Sequence, residues 1–194
     1  MWRPYAEWVT RAITADNLEV RYGDTVALSG VDLTVPAGSS LAVIGPNGSG
    51  KSTLLAALAG TIEPSTGSTH LTDPPPALVL QTTDVDKSLP MTVCDTVSLA
   101  RYPRLGLFGR FQPADRDAID RSLARMGIED LASRQLHDLS GGQRQRVLVA
   151  QGLAQESDVL LLDEPVNGLD LVSRSLILHV IDEELTSGRT VVMT

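Results

Sequence analysis

Gly45-Pro46-Asn47-Gly48-Ser49-Gly50-Lys51-Ser52-Thr53 is the stretch on which the reading of this chain turns. The apolar run Ser40-Leu41-Ala42-Val43-Ile44 predicts a buried strand before it, and Thr53-Leu54-Leu55-Ala56-Ala57-Leu58-Ala59 predicts a helix after it. A glycine-rich turn between strand and helix can aim its amide N–H groups inward, at the positive end of the helix, where phosphate oxygens bind. Gly45, Pro46, Asn47, Gly48, Ser49, Gly50, Lys51, Ser52 and Thr53 are therefore the candidate phosphate-binding residues. Lys51 adds a point charge for the outer phosphates, and Ser52 offers a hydroxyl to Mg²⁺. A plain glycine-rich turn ahead of a helix is the alternative, but it does not account for Lys-Ser at this spacing.

Two later stretches extend that chemistry. Leu139-Ser140-Gly141-Gly142-Gln143 opens a helix predicted over 142–155, so it presents a second set of amides at a helix start. Ser140 also reads as the N-cap with Gln143 as its capping-box partner, and the two roles can coexist. Val159-Leu160-Leu161-Leu162-Asp163-Glu164-Pro165 is an interior strand that ends in adjacent carboxylates. Such a pair is costly there unless metal, water or hydrogen bonds satisfy it. A solvated acidic turn is the bland reading. Beside a phosphate cradle, Asp163 reads as a holder of Mg²⁺ and its water shell, and Glu164 as the group polarising the water that attacks a terminal phosphate.

An aromatic, the phosphate loop, a glutamine, Leu-Ser-Gly-Gly-Gln and a hydrophobic strand ending Asp-Glu follow one another in that order. In this order residues 14–194 resemble the ATPase subunits of ATP-binding-cassette (ABC) systems. The resemblance implies an α/β fold: a P-loop NTPase core with a parallel sheet, an antiparallel β N-terminal subdomain and an all-helical insert. It implies ATP and Mg²⁺ as cofactors. It places Tyr22 against the adenine ring, where an aromatic stacks well. It also makes Gln81 a sensor in the Mg²⁺ shell that leads to the surface gripping a membrane subunit. Ser140, Gly141, Gly142 and Gln143 would complete the site of a second copy, two ATP molecules being sandwiched head to tail. Gly168-Leu169-Asp170 matches the loop whose Asp170 crosses that contact, with Val166-Asn167 in place of the more usual Thr or Ser. The family carries a switch histidine just after the strand expected at 190–194. The sequence ends at Thr194, so the expectation is that the natural protein continues. His70, on a short strand, and His137, before the signature, are not placed to substitute, and neither is His179, which reads as a packed or boundary position within a helix.

A length of 194 residues fits one α/β domain with a modest insert. Residues 13–194 read as that domain, with residues 1–12, carrying Trp2 and Trp8, as an extension. Strands are expected at 13–20, 26–35, 68–71 and 77–80, and a further helix near 171–186. Between them, 88–138 reads as the all-helical part, with helices at 92–100 and 114–126. In the second, Ala118, Ile119, Ser122, Leu123 and Met126 share one face, with Asp and Arg on the other. A net charge of −8 argues against a general affinity for nucleic acid, so no nucleic-acid partner is expected. The basic spot from Arg101 through Arg104 to Arg110 reads as a solvated or partner-facing surface. Cys94, the single cysteine, can make neither an internal disulfide nor a metal cluster. No stretch approaches the ~20 apolar residues of a spanning helix, and residues 1–8 lack the apolar core of a signal peptide. The expected location is cytoplasmic, peripheral at the inner face of the cell membrane through a partner.

Leu89-Pro90-Met91-Thr92-Val93 and the stretch from Ala100-Arg101-Tyr102-Pro103 to Phe108 are similar to bacterial importers of metal ions and iron chelates. Zinc and manganese systems are the nearer likeness; siderophore, haem and cobalamin importers come next. Ala100 stands where that group often has Gly, and Cys94 where a polar residue is common. The resemblance implies as partners a second ATPase subunit, a transmembrane permease and an extracytoplasmic substrate-binding protein. The alternatives are a chelate importer, a non-transport cassette acting on ribosomes or DNA, or a hydrolysis-deficient truncated copy. The non-transport class usually shows two cassettes, a coiled-coil insertion or a basic surface, and the sequence has none of these.

Overall fold

Gly23-Asp24 breaks a long apolar alternation into two strands, β1 (Arg11–Tyr22) and β2 (Thr25–Pro36), paired antiparallel and closed where Tyr22 faces Thr25. A computed structural model describes residues 11–70, 73–81, 90–105 and 109–194. Trp2, Trp8, Leu71, Leu89 and Phe108, which the sequence reading used, lie outside these described residues. After the hairpin come β3 (Ser40–Ala42), α1 (Lys51–Leu58), β4 (Thr66–His70) and β5 (Ala77–Val79). β4 pairs with the other edge of β1, giving a three-stranded antiparallel sheet in the order β2-β1-β4.

The insert follows as α2 (Val93–Ser98), α3 (Tyr102–Leu105) and α4 (Pro113–Arg125). α5 (Gly141–Ala154), β6 (Val159–Leu162), α6 (Leu171–Thr186) and β7 (Thr190–Met193) return the chain to the core. The second sheet is parallel, in the order β3-β7-β6-β5. Every residue of β6 is buried, because the strand is covered on both faces. Leu160 and Leu162 pack with Val147, Ala150 and Ile177 on the helical side. Val159 and Leu161 pack with Leu55 and Leu58 of α1 and with Ile13 and Val20 of the antiparallel sheet. The α/β architecture is thus the expected one, an antiparallel subdomain and a helical insert on a parallel core.

Four details depart from the sequence reading. The buried strand expected over Ser40–Ile44 is shorter, Ser40–Ala42, and as an edge strand it leaves Ser40 and Ala42 exposed, with Ile44 beyond it exposed too. The helix expected over 92–100 ends at Ser98, and a 3₁₀ turn, Leu99–Arg101, carries the chain on. Arg101, read as part of a solvated basic surface, is 4% exposed. Its guanidinium donates to Asp115 (Nε–Oδ1 2.9 Å), to the carbonyl of Ala154 (2.9 Å) and to Glu156 (2.7 Å). Asp115, expected on the wet face of α4, is buried with it and also accepts from the amide of Gln112 at 2.9 Å, capping the helix. A pattern of polar and apolar letters assigns each charge to solvent; two charges 14 positions apart that neutralise one another can go inside together.

A second cluster ties the insert to α6. Glu184 is buried, and it accepts hydrogen bonds from Arg125 of α4 and, at 2.6 Å, from Arg189. Arg125 also reaches Glu183 at 2.9 Å. Burial resists ionisation of Glu184, but the bonds from Arg189 and Arg125 outweigh it and hold the carboxyl below the usual glutamate value. A depressed value in the folded state gives stability that is complete above the unfolded value of about 4.3 and is lost as pH falls through the folded one. Glu184→Ala should therefore cost about 3–5 kcal/mol at neutral pH, leaving Arg189 buried without its partner. Urea unfolding checks this, and the gap between variant and parent should narrow below about pH 4.

Candidate nucleotide-binding site

The phosphate loop leaves β3 and wraps onto the start of α1. Gly50 is the N-cap of α1 at φ 89°, and no side chain caps the helix. A side chain at Gly50 would put its Cβ 2.5 Å from the carbonyl oxygen of Ala27, so the loop can lie against β2 only with glycine there. The uncapped amides at the positive end of α1 are a ready anion site. Lys51 donates from Nζ to the carbonyls of Gly45 (3.0 Å) and Pro46 (3.1 Å), holding its ammonium across the loop.

Two clefts adjoin this loop. One, of about 430 Å³, is lined by residues including Gly50, Lys51, Ser52, Gln81, Glu164 and Asn167. The other, of about 490 Å³, shares Asn47, Lys51, Glu164 and Asn167 and adds Arg174 and Thr194. Gln81 lies two residues past the end of β5 and is exposed at the mouth. The fold thus brings Lys51, Ser52, Gln81 and Glu164, far apart in sequence, to one opening.

Asp163 and Glu164 follow β6. The amide of Asp163 donates to the carbonyl of Val79 at 2.9 Å, which fixes it to β5. Its carboxylate is 6% exposed and accepts from the Thr194 hydroxyl at 2.7 Å. Glu164 has φ 45°, a left-handed conformation uncommon for a residue with a side chain. Its amide donates to the same Thr194 hydroxyl at 2.9 Å, and its carboxylate accepts from Asn167 at 2.7 Å. Among the described residues no group of three His, Cys, Asp or Glu could hold a metal. The Asp163 carboxylate, and the Ser52 hydroxyl and Gln81 carboxamide that line the smaller cleft, are hard oxygens of the kind that suit Mg²⁺, an ion usually held by one or two carboxylates together with phosphates; Asp163 itself lines neither cleft.

Comparison with known proteins agrees with this geometry. The ABC transporter family profile matches residues 28–167. The chain belongs to the ABC transporter family. The manganese transport system ATP-binding protein MntB of Halalkalibacterium halodurans is 37% identical over 186 residues, 92% of this chain and 74% of MntB. A solved metal-chelate type ABC transporter in an inward-facing conformation matches with TM-score 0.80 and 30% identity, over 95% of this chain and 73% of the other. A bacterial ABC transporter cassette solved as a dimer matches with TM-score 0.76 and 26% identity, over 94% and 87% respectively. The chain is an ABC-type, nucleotide-binding ATPase.

In this cassette Tyr22 lies at the turn end of the β1–β2 hairpin and is 53% exposed, so its ring is not buried in its own sheet. Ser140 caps α5 as expected: its hydroxyl accepts from the amide of Gln143 at 3.2 Å, and the Gln143 side chain accepts from the amide of Ser140 at 3.0 Å. Gly141 and Gly142 begin the helix ahead of its i−4 ladder. Neither cleft at the phosphate loop is lined by residues 140–143. Asp170 is the N-cap of α6, its carboxylate accepting from the amide of Ser173 at 2.9 Å, a bond that holds its carboxyl below the usual aspartate value. Gly142 approaches this cap so closely that a Cβ there would meet Asp170 Oδ2 at 2.7 Å.

The remaining features take no part in this opening. A cavity of about 620 Å³ lies between α4 and α6, where Arg125, Arg189, Glu183 and Glu184 pair among themselves. His179, read as packed or at a boundary, is exposed on the outer face of α6, 3.3 Å from Glu183. Sequence reading passed over Asn167, visible only as a departure from the usual loop, and Thr194, visible only as a strand residue. Among the described residues no helix is long and apolar enough to cross a membrane.

Proposed function

We propose that this ABC ATPase powers import of a metal ion, manganese or zinc, through a separate permease, working as a head-to-tail pair with ATP. The observation that carries the reading is the uncapped start of α1 with Lys51 across it, opening onto Ser52, Gln81 and Glu164. The amides of residues 45–53 and Lys51 bind the phosphates, Lys51 exchanging its loop carbonyls for phosphate oxygens. Ser52, Gln81 and Asp163 hold Mg²⁺, which when bound neutralises phosphate charge. Glu164 accepts a proton from the water that attacks the terminal phosphate, and Asn167 keeps its carboxylate turned toward the opening. Tyr22 stacks on adenine, its half-exposed ring being free to do so.

Because Ser140, Gly141, Gly142 and Gln143 line neither cleft of their own chain, they serve a neighbour's phosphates, and Asp170, set against Gly142, meets the same contact. The dimeric cassette of similar fold supports this pairing. The likeness to MntB supports manganese as cargo, and the likeness to a metal-chelate type transporter makes a metal chelate the second reading. Residues 13–194 form the one cassette domain, with the helical insert near 88–138 as the permease-facing part. The protein then sits in the cytoplasm against the membrane, and an extracytoplasmic binding protein presents the cargo.

Lys51→Ala should weaken ATP binding on the order of 10–100-fold, since charge-assisted hydrogen bonds are lost. Glu164→Gln should keep binding and lower turnover on the order of 10²–10⁴-fold. Equal loss of binding in both variants would take the catalytic role from Glu164. In light scattering, Glu164→Gln with ATP should dimerise and Ser140→Arg should not; a dimer indifferent to nucleotide contradicts the shared site. For the cargo, the ATPase should co-purify with a polytopic permease encoded beside its gene and drive ⁵⁴Mn²⁺ uptake in proteoliposomes. Uptake of an iron chelate with none of manganese or zinc would move the assignment to the second reading.

A further inference from the structure

We infer that Thr194 is a positioning residue whose single hydroxyl sets both carboxylates at the end of β6. The inference rests on the roles proposed above for Asp163 and Glu164. The hydroxyl donates to Asp163 Oδ1 at 2.7 Å and accepts the amide N–H of Glu164 at 2.9 Å. A hydroxyl has one hydrogen and two lone pairs, so donor and acceptor roles are both open to it at once. No methyl or carboxamide of similar size reproduces that pair of bonds.

The placement of Thr194 is rigid. Its amide donates to the carbonyl of Leu162 at 3.1 Å, continuing the β6–β7 ladder, and the preceding carbonyl, of Met193, accepts from the amide of Val43 at 2.8 Å. The hydroxyl is therefore held from both neighbouring strands, one leading to the phosphate loop and the other to the acidic pair. What it holds is not a relaxed segment. Glu164 sits at φ 45°, where a residue with a side chain is strained, and the bond to Thr194 is the one that fastens its amide in that conformation. Asn167 fastens the Glu164 carboxylate separately. Thr194 thus sets where the Glu164 side chain starts, and Asn167 where it ends. On the other side, the same hydroxyl fixes one carboxylate oxygen of Asp163 and leaves the other for the cation. A support of this type acts on metal affinity and turnover and leaves the phosphate cradle, built from α1 and its loop, untouched.

The test compares Thr194→Val, which keeps the shape and loses the hydroxyl, with Thr194→Ser, which keeps the hydroxyl. A fluorescent ATP analogue is titrated at equilibrium in EDTA and then across Mg²⁺ concentrations, and turnover is measured on the same proteins. Thr194→Val should bind in EDTA within about twofold of the parent, need roughly 10-fold more Mg²⁺ for half of the metal-dependent gain in binding, and turn over about 10–100-fold more slowly. Its KM for ATP should change little. Thr194→Ser should match the parent in all three. Parental Mg²⁺ dependence and turnover in Thr194→Val overturn the inference, as does a Thr194→Ser protein as impaired as Thr194→Val. Loss of binding in EDTA by Thr194→Val overturns it too, because the hydroxyl would then be supporting the fold and not the carboxylates. Glu164→Gln, run in parallel, separates the two levels. If it keeps turnover, the roles given to the acidic pair fail; if it loses turnover while Thr194→Val does not, only the part given to Thr194 fails.

Discussion

Covering β6 on both faces is the constraint from which the rest of the structure follows. A strand buried among α1, the antiparallel sheet, α5 and α6 has no side on which a polar group can stand. Its polar residues must therefore come at its end. β5 and β7 are likewise largely buried, while β3 is a more exposed edge strand, and each of the four delivers one part of the opening beyond its C-terminal end: β3 the phosphate loop, β5 Gln81, β6 Glu164, β7 Thr194. In open parallel sheets ligands bind outside the carboxyl ends of the strands for this reason. The chemistry is gathered at one edge because the core leaves it no other place.

The parts of that edge differed in how far the sequence exposed them. The phosphate loop and β6 were legible because their signals are local: glycines where φ is positive, and four consecutive apolar residues that only a doubly covered strand can use. The cap of α5 was legible for the same reason, Ser140 and Gln143 being three residues apart. Arg101 and Asp115 were not, since each alone reads as a surface charge and only their meeting makes burial tolerable. Thr194 escaped for a similar reason. It lies 31 positions from Asp163, and a threonine at a strand end has no letter pattern that marks its hydroxyl as shared.

The helical insert is bound to the core through charge more than the sequence suggested. Arg101 joins the end of α2 to α4 and to the end of α5, while Arg125 joins α4 to α6. These bonds are directional, so they fix the insert in a particular pose where apolar packing alone would tolerate sliding. They are also separable from the nucleotide edge, because none of their residues lines the clefts beside the phosphate loop.

A short path nevertheless joins the two regions within one chain. Glu164 bonds to Asn167, the loop runs three residues on to Asp170, and Asp170 lies against Gly142 at the start of α5. One tightly turned segment thus runs from the acidic end of β6 to a residue packed against the start of α5. That segment has little slack: Asp170 is fixed by the Ser173 amide, and a methyl group at Gly142 would press on the Asp170 carboxylate and the Ser173 hydroxyl, both at 2.7 Å. Glu164 and the start of α5 are therefore held in register through direct contacts that do not run through the rest of the helical insert. The close packing of Gly142 on Asp170 is then more than a local fit, since it sets the distance between the acidic end of β6 and the start of α5.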